Sequence, residues 1–216
     1  MPIPSVPELV HAWVDGWTVS RGTDGPVTTP WGLRVEVGEP GHQARHVLPE
    51  ADEALLRALS AAETAPEVWI KTFVEPERVA AGLGSGWNGS HNGELMATRL
   101  RRSAVAVPDG YRVESEYVDA VTQLRVLAED GSVAAKGRVA VTGGSAVVDR
   151  ISTDPEHRRR GLGSVVMRTL ANTAVDAGAE LGVLGASFEG RALYLTLGWE
   201  VRAPLNSYVR EPQPAA

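Results

Sequence analysis

The stretch VDRISTDPEHRRRGLGSVVMRTL, Val148 to Leu170, sets three arginines directly before a Gly-x-Gly that opens a helix. The apolar alternation before it reads as a strand closing at Thr153, and Gly161 to Ala177 reads as a helix stopped by Gly178. A helix N-terminus offers several N–H groups without intrahelical partners and the positive end of the macrodipole. Glycines at such a place let an anion approach the backbone closely. Arg158, Arg159, Arg160, Gly161, Leu162, Gly163 and Ser164 therefore read as an anion site. The competing reading is a solvated basic helix start. Lys71 and Lys136 are the only lysines, an arginine preference that a GC-rich genome would also produce, so a run of arginines counts for less here. Neither Gly-x-x-x-x-Gly-Lys-Ser/Thr nor the third glycine of a dinucleotide fingerprint is present. Gly82-Leu-Gly-Ser-Gly86 follows a helix and reads as a helix stop.

Outward from this segment, residues 111 to 153 alternate as three or four antiparallel strands, with Glu129-Asp130-Gly131-Ser132 and Gly143-Gly144 as turns. Residues 179 to 187 form a buried strand, 190 to 198 a short helix stopped by Gly198, and the remainder an ending strand or hairpin. Strand, helix and strand with a short connection require a parallel pair, so the class is α/β with a mixed sheet. Toward the N-terminus, Ser5, Pro7 and Glu8 make a capping box before a helix over about 6 to 19. Strands at 32 to 37 and 44 to 48, a helix at 51 to 63, a strand at 67 to 74 and a short helix from Pro76 follow. Residues 84 to 94, rich in Gly, Asn and Ser, read as a loop, with a boundary between 92 and 105. This divides the chain into an accessory domain at 1–95 and a second domain at 96–216.

Spacing around the glycines resembles the GNAT superfamily of acetyl-coenzyme A dependent N-acetyltransferases. There a strand and x-Pro-x-x lead into Arg/Gln-x-x-Gly-x-Gly/Ala and a long helix, as Ile151 to Gly163 do here. A second family block, Asn-x-x-Ala-x-x-Leu-Tyr-x-x-x-Gly-Phe, is matched by Ser187 to Trp199. The resemblance covers about 108 to 210 and implies a mixed, mostly antiparallel sheet flanked by helices. It implies that Ile151 and Thr153 pair with the pantetheine arm of acetyl-coenzyme A, that the Arg158 to Ser164 amides hold its pyrophosphate, and that an N–H near Ser152 or Thr153 meets the oxyanion. It also implies that Ser187, in place of asparagine, makes a polar contact to the cofactor.

Acetyl transfer needs an uncharged amine, and deprotonating an alkylamine at pH 7 costs roughly 4 to 5 kcal/mol. Asp149 stands where many family members carry a base; alternatively it pairs on the strand surface with Arg150. Tyr194 matches the acid that protonates the leaving thiol, its alternative being a core aromatic. The two helices that normally cover the acceptor have no room between residues 111 and 126, so residues 1–95 are the candidate wall. That half is itself read as a degenerate GNAT-like repeat, residues 67 to 100 running parallel to 179 to 211.

A net charge of −6 argues against nucleic acid or anionic lipid as partner and attracts a cationic acceptor. No apolar run is long enough to span a membrane, and no signal-like N-terminus is present, so a soluble cytoplasmic protein is expected. The absence of cysteine removes disulfides, thiolate metal sites and a cysteine nucleophile. His42, His46 and His91 have no ligand-like company, and no metal is expected. The expectation is a small-molecule amine acetyltransferase, with a homodimer left open. A non-catalytic acyl-coenzyme A sensor and a protein N-acetyltransferase are the alternatives.

Overall fold

The computed structural model describes residues 3–211, the side chain of Ser90 excepted. Helix α1 (Val6–Arg21) starts where the capping box predicts: the Ser5 N–H and hydroxyl donate to Glu8 Oε2 at 2.8 and 2.6 Å. It runs two residues past the expected end, to a left-handed Gly22, and so carries Arg21. Its apolar stripe of Leu9, Val10, Trp13, Val14 and Trp17 is buried. Strands β1 (Val27–Thr29), β2 (Gly32–Glu39) and β3 (His42–Leu48) form a meander. Helix α2 (Glu53–Ala62), capped by Asp52, crosses to β4 (Val68–Thr72), which lies parallel to β3. Helix α3 (Pro76–Gly82) then leads to β5 (Trp87–Arg99).

The second half repeats this plan. Strands β6 (Tyr111–Val118), β7 (Val121–Ala128), β8 (Val133–Thr142) and β9 (Ser145–Thr153) are antiparallel. Helix α4 (Leu162–Asp176) crosses to β10 (Leu181–Ser187), parallel to β9, and α5 (Phe188–Thr196) leads to β11 (Glu200–Arg210). The strands join in one sheet ordered β1-β2-β3-β4-β11-β5-β10-β9-β8-β7-β6. The series β3-α2-β4-α3-β5 is thus matched by β9-α4-β10-α5-β11, with the last strands exchanged: β11 lies beside β4 and β5 beside β10.

The loop expected at 84 to 94 is instead most of β5. Its Gly/Asn composition reflects crowding between β11 and β10 rather than a turn. A Cβ on Gly89 would stand 2.0 Å from the Ser207 carbonyl oxygen, and one on Gly93 2.3 Å from that of Ala186. The expected boundary at residues 95 and 96 accordingly falls inside β5, and the stretch without regular structure lies at 100 to 108. The halves are also tied at Asn206, which is fully buried and whose Nδ2 donates to Thr72 Oγ1 at 3.1 Å and to the Val74 carbonyl at 2.7 Å.

Helix α4 packs on β7, β8 and β9, and α1 on β8, β9 and β10, with separate apolar clusters around each helix. Gly16 lets α1 settle onto β9, since a Cβ there would stand 2.4 Å from Val147 Cγ2. Alanine at this position should destabilise the protein by about 1 to 3 kcal/mol through overpacking, against its better helix propensity. Urea unfolding of Gly16→Ala measures this, and a gain in stability would mean that α1 is not seated on Val147.

Candidate active site

Strands β9 and β10 are paired over three positions, Ser145–Leu181, Ala146–Gly182 and Val147–Val183, and then separate. β10 follows β5 for all seven of its residues. β9 is drawn the other way by β8 through a bulge, where the register passes from Arg138–Asp149 to Lys136–Ser152 and Arg150 takes φ 52°. Gly137 sits opposite the bulge because Ile151 and α4 fill the space its Cβ would occupy, with Ile151 Cδ1 at 2.2 Å. From Val148 to Thr153, β9 therefore has no strand partner on its β10 side.

This open edge leads into the arginine–glycine segment. After a 3-10 turn at Pro155–His157 capped by Asp154, Arg159 and Gly161 adopt left-handed φ values of 62° and 78°. Among the described residues none hydrogen-bonds the N–H groups of Arg159 to Gly163, as expected at a helix start. The two glycines serve different ends. Gly161 supplies the left-handed turn, whereas Gly163 makes room for Leu193 of α5, 2.8 Å from where a Cβ would stand. Leu162 points into the core, which leaves only its backbone for a ligand. The arginine side chains are exposed; Arg160 donates to Tyr111 Oη at 2.9 Å and Arg158 Nε to the Thr153 carbonyl at 3.4 Å. The corresponding turn of the first half, Pro49-Glu50-Ala51-Asp52, is acidic, and the Asp52 carboxylate already accepts the Leu55 N–H. An anion therefore has one suitable helix start of the two.

A cleft of about 280 Å³ opens where β9 and β10 diverge. Asp149, Ile151, Ser187 and Tyr194 line one part of it, and Trp17, Arg21, Arg45 and Lys71 another. Tyr194 is 8 % exposed; burial, and then the Asp149 charge, raise its phenol above the ordinary 10, so it stays protonated. Among the described residues none hydrogen-bonds its hydroxyl. Ser187 caps α5 by accepting the Gly190 N–H at 3.2 Å, which leaves its own O–H free to donate. Ile151 and Thr153 lie on the unpartnered stretch of β9, and Ser152 is exposed.

Asp149 is already engaged. Arg21 binds it in bidentate fashion at 2.6 and 3.0 Å, the Ser20 hydroxyl donates at 3.0 Å and Arg138 at 3.4 Å. Burial opposes ionisation, but the Arg21 guanidinium and these other donors outweigh it and hold the carboxyl below its ordinary 3.8. A carboxylate in that state is a weak proton acceptor. Its geometry suits fixing the end of α1 against β9 better than removing a proton from an amine.

The residues that the sequence did not single out are Arg21, Arg45 and Lys71. Arg45 is 7 % exposed, stacks on Trp17 with 4.0 Å between its guanidinium carbon and the ring, and is pushed by burial to about 10. Lys71 donates to Ser207 Oγ at 2.5 Å, and burial, helped by the Arg45 charge, lowers its amine to about 7. For Arg45 and Lys71 the only sequence signal was a basic residue placed within each of two short strands, and Arg21 lay beyond the expected end of the first helix.

Asp149→Asn should cost about 2 kcal/mol of stability near pH 7, because it leaves two arginines short of a counter-ion. The native carboxyl titrates below 3.8 and the unfolded one near it, so this contribution is present above that value and is lost as the pH falls through the folded pKa. Denaturant unfolding at pH 7 and pH 3 checks it: the gap between the two proteins narrows only in acid, and an equal stability at pH 7 would refute the ion pair.

The family of acetyltransferase (GNAT) domains matches residues 121–201. No curated protein matches the chain. Among solved structures, a GCN5-related N-acetyltransferase from Kribbella flavida is 17% identical over 98% of both chains, with a TM-score of 0.68. Another from Sphaerobacter thermophilus is 12% identical over 100% of this chain and 96% of its own, at 0.59. A tandem GNAT protein of the clavulanic acid biosynthesis pathway is 12% identical over 76% of this chain and 69% of its own, at 0.54. At such identities these likenesses concern the fold. The domain match runs from β7 to the start of β11, and over its whole length the chain shares the fold of these GCN5-related N-acetyltransferases.

Proposed function

We propose that the protein transfers an acetyl group from acetyl-coenzyme A to the primary amine of a small molecule. The supporting observation is that the open edge of β9 and the Tyr194 phenol border one opening between β9 and β10, and that β9 leads on into the segment whose N–H groups at the start of α4 have no partners among the described residues. The fit to coenzyme A is chemical. A pantetheine arm carries amides that can pair with the backbone of β9 at Ile151 and Thr153, where no strand lies on the β10 side, and a pyrophosphate suits N–H groups at a helix start. Arg158, Arg159 and Arg160 stand within the same segment, and Gly161 shapes it.

When bound, acetyl-coenzyme A supplies the acyl group as a thioester. In the transfer, the amine nitrogen bonds to the carbonyl carbon, the carbon–sulfur bond breaks, and the amine's proton is lost as the sulfur gains one. We assign Tyr194 the donation of that proton, since a buried neutral phenol near Asp149 remains protonated. A backbone N–H of β9 at Ser152 or Thr153 meets the oxyanion. Asp149, expected from the sequence as the base, is given instead the task of anchoring Arg21, and the amine proton leaves to water in the cleft. Residues 1–95 contribute the acceptor wall through α1, β3 and β4.

Calorimetry with acetyl-coenzyme A tests this reading. Binding at roughly 1 μM to 1 mM is expected. Tyr194→Phe should retain binding and lose about 100-fold or more in thiol release against an amine panel, whereas Gly161→Val should lose binding. Absence of any binding at about 1 mM would overturn the reading.

A further inference from the structure

The cleft carries more positive charge than its own side chains neutralise. The Arg45 guanidinium is nine-tenths buried, and a guanidinium does not discharge to relieve that burial. Its Nε donates to His42 Nε2 at 3.4 Å, but burial and the Arg45, Lys71 and Arg21 charges hold that imidazole down at about 4, so His42 is neutral. Among the described residues no carboxylate comes within 4.0 Å of Arg45. Asp149 and Glu39 act on it from farther away, and Asp149 is engaged by Arg21, Ser20 and Arg138. Lys71, the next cation along the lining, meets a hydroxyl and the Trp69 ring rather than an acid.

A charge removed from water without a counter-ion is costly, and buried charges are ordinarily paired. The exception is a site where a ligand brings the partner. Arg45 has the form of such a site: its guanidinium carbon lies 4.0 Å from the centre of the Trp17 ring, and among the described residues no group accepts from its two terminal nitrogens, which leaves them for a two-point contact with a planar anion. The position is equally telling. Arg45 and Lys71 come from β3 and β4, while Tyr194, Ser187 and the open edge come from α5, β10 and β9. The unpaired cations thus come from the first half of the chain and the open strand edge from the second.

We infer that the cleft receives a carboxylate carried by one of the two reactants, paired with Arg45 and flanked by Lys71. The inference rests on the acyltransferase reading of the same cleft and refines it. The expectation from net charge, a cationic acceptor, applies to the far field; the local field at the cleft has the opposite sign. Two sources of the carboxylate share this chemistry: an acceptor that is an amino acid, with amine and carboxylate at different ends, or a donor whose acyl group ends in a carboxylate.

Thiol release distinguishes them. With acetyl-coenzyme A, amino acids and ω-amino acids are compared with their amides and with the matching amines that lack the carboxylate. With those plain amines, succinyl-coenzyme A is compared with acetyl-coenzyme A. One of the two comparisons should favour the carboxylate by about 100-fold in kcat/KM, which identifies the reactant that bears it. That preference should collapse to within about threefold in Arg45→Gln and be partly restored in Arg45→Lys. Independently of turnover, succinate should raise the melting temperature of the native protein above that in chloride of equal ionic strength, and should not do so in Arg45→Gln. Acetyl-coenzyme A binding with no carboxylate preference in either comparison, and no Arg45-dependent effect of succinate, overturns the inference while leaving the acetyltransferase reading intact. If acetyl-coenzyme A itself does not bind, that reading fails, and the succinate experiment still decides whether the cleft takes an anion.

Discussion

Val147 and Val183 form the last pair between β9 and β10, and the divergence beyond them is the constraint on which the site depends. Two parallel strands would normally stay together for their length, because an unpaired strand edge in the interior leaves N–H and C=O groups unsatisfied. Here β10 is fixed along its other side by β5, so it cannot follow β9 when the bulge at Arg150 turns that strand toward β8. Gly137 makes the bulge possible by leaving room for Ile151, and α1 closes the opposite face through the close contact of Gly16 with Val147. The result is a backbone edge without a strand partner that leads into a helix start with free N–H groups.

The strand that fixes β10 belongs to the first half of the chain, whose own turn between β3 and α2 is acidic. With the final strands exchanged, β5 supports the divergence in the second half while β11 completes the sheet of the first. In the first half β3 and β4 stay paired over five positions and leave no comparable opening. These strands present Arg45 and Lys71 to the cleft, and α1 presents Trp17 and Arg21. On the proposed reading the repeat divides labour between a half that supplies the donor edge and a half that shapes the acceptor end.

Much of this was legible in the residues. The capping box at Ser5, the strand–helix–strand order after Gly144 and the spacing of Gly161, Gly163 and Tyr194 each rest on local rules, and the fold follows them. The errors came where tertiary pairing overrode composition. Residues 87 to 94 look like a loop because Gly89 and Gly93 accept neighbouring backbones, a constraint set by strands more than 90 residues away in sequence. Gly163 carries a packing constraint that its motif did not reveal, since a Cβ there would stand 2.8 Å from Leu193. Arg45 and Lys71 were invisible because a basic residue in a short strand reads as surface until the sheet's curvature and α1 enclose it. Asp149 was found by its position, but its low basicity depends on Arg21, 128 residues away.

A structure determined with coenzyme A bound tests the central claim most directly. The account places the pantetheine arm along Val148 to Thr153, between β9 and β10, with its pyrophosphate on the backbone from Arg159 to Ser164. Coenzyme A bound instead at the turn between β3 and α2, or anywhere that leaves the open edge of β9 bare, would contradict it.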